Sequence, residues 1–308
     1  MRAFHIFLAA LVCTLTLGAA RAADVAISIR YLHPKGKSHA AIFLFGTDGR
    51  LIRQITEPND SQDVNPSFAP DGKSIIFTSE NDGSQKRVLV SLDLASKAAR
   101  VIAGEPPVWY KSRVIAQPFS GDDSAATTAP ARDTYSTADG AYTIVLKPSK
   151  EKDADESDKE AFLRIGQKPA LIPFRKIPGF VSFWMLHKAD APFPPIAQPR
   201  IAVFDGSHNS TDGTQFYVLD LVAQRIVQLS PNGGEIFPWA GHTGFYADAQ
   251  SRYEELGDGR TVNCDYLDFY NEKLQRTRFG HALGRFSGAS IFAPDGKSFN
   301  IVDPEYTQ

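Results

Sequence analysis

The sequence predicts an all-β fold of repeated four-stranded antiparallel meanders, and three observations predict it. A strand–turn–strand stretch, NPSFAPDGKSIIFTS at 65–79, recurs as SIFAPDGKSFNIVD at 290–303. A strand pair recurs at fixed spacing: Leu94 stands eight residues before Ile102, Leu221 eight before Leu229, and Phe269 eight before Thr277. A step of 13 residues then leads from each second position, and from Ile55 to Phe68, into a stretch that reads as a new first strand. Repetition with a period of about 40–50 residues is the signature of a β-propeller or a solenoid, and closing such a ring removes the exposed sheet edge.

The elements follow in chain order. The first 22 residues read as a secretory signal: Arg2, an apolar run from Ile6 to Leu17, and a small-x-small site at Ala20-Arg21-Ala22, with cleavage expected after Ala22. An apolar run of ~12–15 residues is too short to cross ~30 Å of hydrocarbon. Cleavage removes Cys13 and leaves Cys264, so the mature chain forms no internal disulfide and depends on its core. Losing Arg2 and Arg21 from 33 basic residues leaves 31 against 35 acidic ones, a charge of −4. That balance gives no general attraction to nucleic acid or anionic lipid.

The rest, 23–308, reads as a single domain with 43% apolar residues in the whole chain, enough for a sizeable core. Pro66-Ser67-Phe68 and Ser74-Ile75-Ile76-Phe77-Thr78 are strand-rich, and Pro70-Asp71-Gly72 between them supplies a fixed φ, a self-bonding side chain and a positive φ. Strands at 87–94 and 100–102 complete a meander over 64–103. Five blades result: 64–103, 104–175, 176–230, 231–280, and a closing blade shared by both ends; six is the alternative if 104–175 holds two. The closing blade joins the second APDGK hairpin to IFLFGTDGRLIRQIT, 42–56, but AISIRYL, 26–32, and SFNIVD, 298–303, both read as its second strand. GDDSAATTAPARD, 121–133, reads as an inserted loop, EKDADESDKE, 151–160, as a solvated charged loop, and HKADAPFPPIAQP, 187–199, as a loop with polyproline character.

The two hairpins at 65–79 and 290–303, with third strands VSLDL, YVLDL and YLDFY, resemble the WD-like β-propeller repeat of the TolB propeller family; the middle, 104–200, matches poorly. The resemblance implies a propeller and, less specifically, a periplasmic protein that contacts partners of the cell envelope. The family's namesake carries an N-terminal α/β domain ahead of a six-bladed propeller. Here about 20 residues separate the cleavage site from the first blade strand, so the resemblance is expected to cover the propeller alone.

Catalytic signatures are mostly absent from the sequence. Gly-Lys-Ser at 36–38, 72–74 and 296–298 lacks the upstream glycine and the strand–loop–helix setting of a phosphate-binding loop. Gly284 to Gly288 has the wrong spacing for a nucleophile elbow. No H-E-x-x-H, C-x-x-C or EF-hand pattern occurs, and Asp205 and Asp212 read as turn residues, so no metal and no cofactor are expected. Candidate residues come instead from position. The loops expected on one rim of a propeller are 57–64, 104–111, 230–242 and 280–286, which supply Asp60, Asp63, Trp109, Tyr110, Trp239, His242, His281 and Arg285.

Aromatic anchors with Arg and a few carboxylates suit a protein- or glycan-binding surface. The expectation is therefore a non-enzymatic exported propeller that binds an envelope protein or a cell-wall glycan, with no nucleic acid as partner and no membrane anchor after cleavage. The alternative is a carbohydrate-active propeller enzyme, a lyase or hydrolase, which would need carboxyls or metal ligands converging at the channel mouth. Scattered or outward positions of Asp60, Asp63, His242 and His281 would leave that alternative without a basis. A further alternative makes the chain one piece of a larger assembly.

Overall fold

A computed structural model describes residues 25–32, 38–57, 61–81, 84, 86–117, 134–137, 139–148, 150, 159–168, 171–173, 183–185, 201–205, 216–229, 235–238, 244–255, 257, 259, 261–271, 273–280, 284–293 and 295–306. They form a nearly all-β structure. Alternating apolar residues and Gly/Asp/Pro turns produce β4 (Ser61–Phe68), β5 (Ser74–Asn81), β6 (Lys86–Asp93) and β7 (Ala99–Val101), an antiparallel meander where 64–103 predicts one. Three further four-stranded sheets follow. They are β9–β12 (Thr134–Ser136, Tyr142–Pro148, Lys159–Ile165, Leu171–Pro173), β13–β16 (Phe183–Met185, Ile201–Asp205, Phe216–Asp220, Arg225–Gln228) and β17–β20 (Ile236–Pro238, Gly244–Glu255, Thr261–Asn271, Arg276–Phe279). VSLDL, YVLDL and YLDFY lie in or run out of the third strands β6, β15 and β19, as their spacing predicts.

The terminal strands resolve the competition between 26–32 and 298–303. β1 (Val25–Leu32) and β22 (Ser298–Ile301) lie on opposite sides of β21 (Gly284–Phe292), so both are seated. β1 then pairs with β2 (Ser38–Phe45), and β2 with β3 (Leu51–Gln54). Val25 is opposite Phe45 on one side and Ile291 on the other, which joins the two ends of the chain in one sheet. A parallel contact between Ala40 of β2 and Gln62 of β4 extends this sheet, which curls.

One expectation fails in this region. The segment RVIAQPF supplies a strand, β8 (Val114–Ile115), but β8 pairs in parallel with β22 and does not open the meander of 104–175. Among the described residues that meander starts at Thr134, and Asn300 holds β8 at the terminal sheet: its side-chain amide donates to the Val114 carbonyl at 2.9 Å, and its backbone carbonyl accepts from the Ala116 N–H at 2.7 Å. The signal segment 1–22, the loops 121–133 and 187–199, and most of 151–160 lie outside the described residues.

The core explains why β1 and β2 are apolar at nearly every position. Val25, Ile27, Ile29, Phe43 and Phe45 point to one side, where they meet Phe237, Tyr246, Leu267 and Phe279 of β17–β20. Ala26, Ile42 and Leu44 point to the other side and meet Phe68, Ile75, Phe77 and Leu92 of the β4–β7 meander. Successive side chains of a strand alternate faces, so a sheet covered on both sides needs a continuous apolar run. Full burial of each Phe, Leu or Ile stabilises by roughly 1.5–3 kcal/mol. A separate cluster, with Ile144, Leu146, Leu163, Leu219 and Leu221, joins β9–β12 to β13–β16.

The repeated hairpins adopt the same turn and pack side by side. Gly72 N–H donates to the Ala69 carbonyl at 2.9 Å, and Gly296 N–H to the Ala293 carbonyl at 3.0 Å. Asp71 and Asp295 each accept from the N–H two residues on, at 2.9 and 3.1 Å. The rings of Phe68 and Phe292 are 5.6 Å apart, and Phe68 N–H donates to Ser290 Oγ at 3.0 Å. Each copy has a bulge in its first strand: β4 gains a residue against β5 between Val64 and Ser67, and β21 gains one against β1 between Phe286 and Ala289.

Candidate functional site

Among the candidate residues, Arg285 contacts a buried acid. It lies near the start of β21, opposite Arg30 of β1, and its side chain is 58% exposed. Its Nε donates to Asp265 Oδ2 at 3.4 Å, and the Asp265 side chain is only 4% exposed. Asp265 sits on β19 opposite Gln250, and Asp248 on β18 opposite Leu267, so the two carboxyls share one face of the sheet. Glu235 enters from the residue before β17, where its carbonyl accepts the Asp248 N–H at 2.8 Å.

The electrostatics of this face are those of crowded carboxyls. Burial pushes the Asp248 carboxyl well above the ordinary range; Asp265, Glu235 and Asp268 push it further, and Arg285 opposes them. Burial also raises Asp265, against Arg285 and the Phe286 N–H, which lower it. Glu235 is raised by burial and then by Asp303. The Oδ1 atoms of Asp248 and Asp265 are shielded from solvent and have no hydrogen-bond partner among the described residues.

Asp248 and Asp265 are not legible in the sequence because each lies within a strand and not on an expected rim loop; Glu235 does lie in the rim segment 230–242, where the aromatic and histidine residues stand out instead. A signal was present: GFYADAQ and CDYLDFY each place an Asp within a strongly apolar strand, where a carboxyl faces either a partner or a site. Asp268 shows the first outcome. It is fully buried, accepts two bonds from Arg278 at 2.8 Å, and lies 3.8 Å from Arg276.

The other candidates are placed as follows. Asp63 lies within β4 and is buried, not on a loop. Ser79 and Ser61 donate to its Oδ1 at 2.6 and 3.2 Å, and Ser28 Oγ donates to its carbonyl at 2.7 Å. Burial raises its carboxyl, and the hydroxyls of Ser79, Thr56 and Ser61 hold it down. Trp109 and Tyr110 lie on the short helix α1 (Val108–Lys111), rings 5.8 Å apart and edge to face. Trp109 is partly buried; Tyr110 is buried beneath the Arg113 guanidinium, 3.7 Å from its ring centre. Asp60, Trp239, His242 and His281 lie outside the described residues. Among the described residues no three His, Cys, Asp or Glu side chains converge in a way that could hold a metal ion.

No protein-family model matches the chain, and no curated protein matches it. The solved structures it is similar to include TolB and other β-propeller proteins. TolB from Acinetobacter baumannii is 12% identical with a TM-score of 0.23, over 97% of this chain and 69% of that one. The AtxE2 isopeptidase is 9% identical with a TM-score of 0.38, over 90% of this chain and 56% of that one. The β-propeller domain of the trilobed protease from Pyrococcus furiosus, with an open velcro topology, is 10% identical with a TM-score of 0.28, over 76% and 60%. Likeness at these values carries no argument about the chemistry of this chain.

Proposed function

We propose that the chain is an exported, five-bladed β-propeller that binds an envelope protein or a cell-wall polymer through one rim, without catalysing a reaction. The ring is supported by which meander packs on which. The terminal sheet packs on β4–β7 and on β17–β20, β9–β12 packs on β13–β16, and Arg225 of β16 donates to the Lys273 carbonyl beside β20 at 2.8 Å. Export is supported by the charge, apolar run and small-residue site of the first 22 residues.

The observation that carries the binding role is the Arg285–Asp265 pair. An exposed guanidinium tethered to a buried carboxylate is held in place before any partner arrives, and such charged anchors concentrate binding energy. Pull-down from an envelope fraction with the mature protein, alongside Trp239→Ala and Arg285→Ala, tests it. A partner retained by the wild type is expected to be lost in at least one variant. Recovery of nothing, together with turnover of a polysaccharide, reverses the reading.

One observation favours the second reading, a carbohydrate-active enzyme. Asp248 and Asp265 share a face with Asp248 raised further by its neighbour, the environment that separates an acid from a base. Loss of polysaccharide turnover in Asp248→Asn would support it.

A further inference from the structure

We infer that the seam between β16 and β20 is a binding site for an anionic glycan, one whose sugars carry carboxylates at regular intervals. Three observations carry it. β20 presents Arg276 and Arg278 on one face, opposite Tyr270 and Asp268 of β19. Arg278 donates twice to Asp268, at 2.8 Å each, and so neutralises that fully buried carboxylate by itself. Arg276 is the cation left over: its Nη1 stays 3.8 Å from Asp268 Oδ2, beyond hydrogen-bond reach, and its side chain is 52% exposed. From the facing sheet, Arg225 of β16 crosses the seam to the Lys273 carbonyl at 2.8 Å, and both residues are exposed.

The seam is a positive strip on a chain that is acidic overall, with a net charge of −2. Asp268 and Asp220, the acids opposite Arg278 and Arg225, are already engaged, the first by Arg278 and the second by the Val222 and Ala223 N–H groups. A guanidinium only donates and presents its N–H groups in one plane, which a carboxylate matches with two oxygens. Cations set apart along one strip suit a polymer of repeated carboxylates better than a lone anion, because each contact after the first is intramolecular. A glycan is favoured over an acidic protein because the rings of this face are withdrawn from contact. Tyr270 is buried and stacked on Phe245 at 5.3 Å, and Tyr266 lies under the Arg278 guanidinium, 4.4 Å from its ring centre. Protein interfaces place such rings at their centre. The site goes beyond the binding role above and does not rest on it: Asp265, which Arg285 bonds, and Asp268 stand an odd number of residues apart on β19 and face opposite sides of the sheet.

The test is calorimetric titration of the mature chain with a mannuronic acid hexamer, its methyl ester being the uncharged control and hexaglutamate the acidic-peptide comparison. The acid form alone is expected to bind, about tenfold more weakly in Arg276→Gln and in Arg225→Gln, as loss of one charge-assisted contact requires. It should be unchanged in Arg100→Gln, on the exposed strand β7. No binding by the wild type, or undiminished binding by either seam variant, overturns the proposal, and hexaglutamate bound as tightly overturns the glycan as its ligand. If a variant fails to fold, the wild type decides: its affinity must fall severalfold between about 0.05 and about 0.5 M salt with the ester still unbound, and a flat profile overturns the proposal. Failure of the glycan with an envelope partner still captured through Arg285 sinks this inference and spares the rim; glycan bound with no partner captured does the reverse.

Discussion

Asn65 and Asp303, 238 residues apart, pair as two strand residues would: the Asp303 N–H donates to Asn65 Oδ1 at 2.7 Å, and Asn65 Nδ2 donates to the Asp303 carbonyl at 3.2 Å. Asn65 is 2% exposed and has a φ of 53°, a left-handed conformation that Asn tolerates better than most residues. Its side chain thus stands in for a backbone and ties the bulge of β4 to the end of the chain. Asn65→Ala should lose roughly 1–3 kcal/mol through two lost, part-buried hydrogen bonds, read as a lower urea midpoint with an unchanged slope.

Gly288, in the bulge of β21, has a φ of 97° and lies against the same asparagine. A Cβ there would stand 2.5 Å from Asn65 Oδ1 and 3.1 Å from Asn65 Cα. Gly288→Ala should therefore lose roughly 2–4 kcal/mol, from strain and clash together. Gly140, with a φ of 65° and nothing within 4 Å of the added carbon, isolates the strain alone, and Gly140→Ala should lose only about 1 kcal/mol. Similar losses in the two variants would show that the bulges do not touch.

Asp248 predicts a pH effect with a definite sign. Its carboxyl is raised by burial and by the neighbouring acids, so the folded chain keeps that proton to higher pH than the unfolded chain. The associated stability is complete below the unfolded value, near pH 3.9 for an Asp, and is lost as pH rises through the folded one. Asp248→Asn, of the same shape and never charged, escapes the loss. Thermal midpoints of variant and wild type should converge in acid and separate toward neutral pH, with the variant higher. A separation that does not vary with pH would show that Asp248 keeps one protonation state throughout.

Tyr306 fastens the C-terminal turn. It is 8% exposed and packs with Ala40 and Val64. The Arg30 and Arg87 guanidinia lie 5.0 and 5.1 Å from its ring centre, and Arg30 also donates to its hydroxyl. Tyr306→Ala should destabilise by roughly 2–4 kcal/mol through lost burial and cation–π contact. Tyr306→Phe, which keeps the ring, should lose about 1–2 kcal/mol. Chemical denaturation of both variants separates ring from hydroxyl.

Several features of the fold were legible before any coordinates. The Pro-Asp-Gly turns, the third strands around VSLDL, YVLDL and YLDFY, and the meander of 64–103 follow from turn stereochemistry and a period of two, which act within a few residues. Arg285 was legible as an exposed residue near the start of a strand, but its pairing with Asp265 and the neighbouring Asp248 were not, because a strand acid reads the same whether it is fully paired, like Asp268, or left with an unbonded oxygen.

By itself, then, the sequence determined what each short stretch does: where the chain turns, which side chains of a strand share a face, and that similar meanders recur. Only the tertiary structure decided which elements become neighbours. It seated both 26–32 and 298–303 around β21, drew β8 to β22, locked the bulge at Asn65 onto Gly288 and Asp303, and set Asp248 beside Asp265. The physical reason is that turn and strand preferences are local, whereas these pairings are chosen by burial and hydrogen bonding between groups far apart in the chain, after the entropy of closing long loops has been overcome.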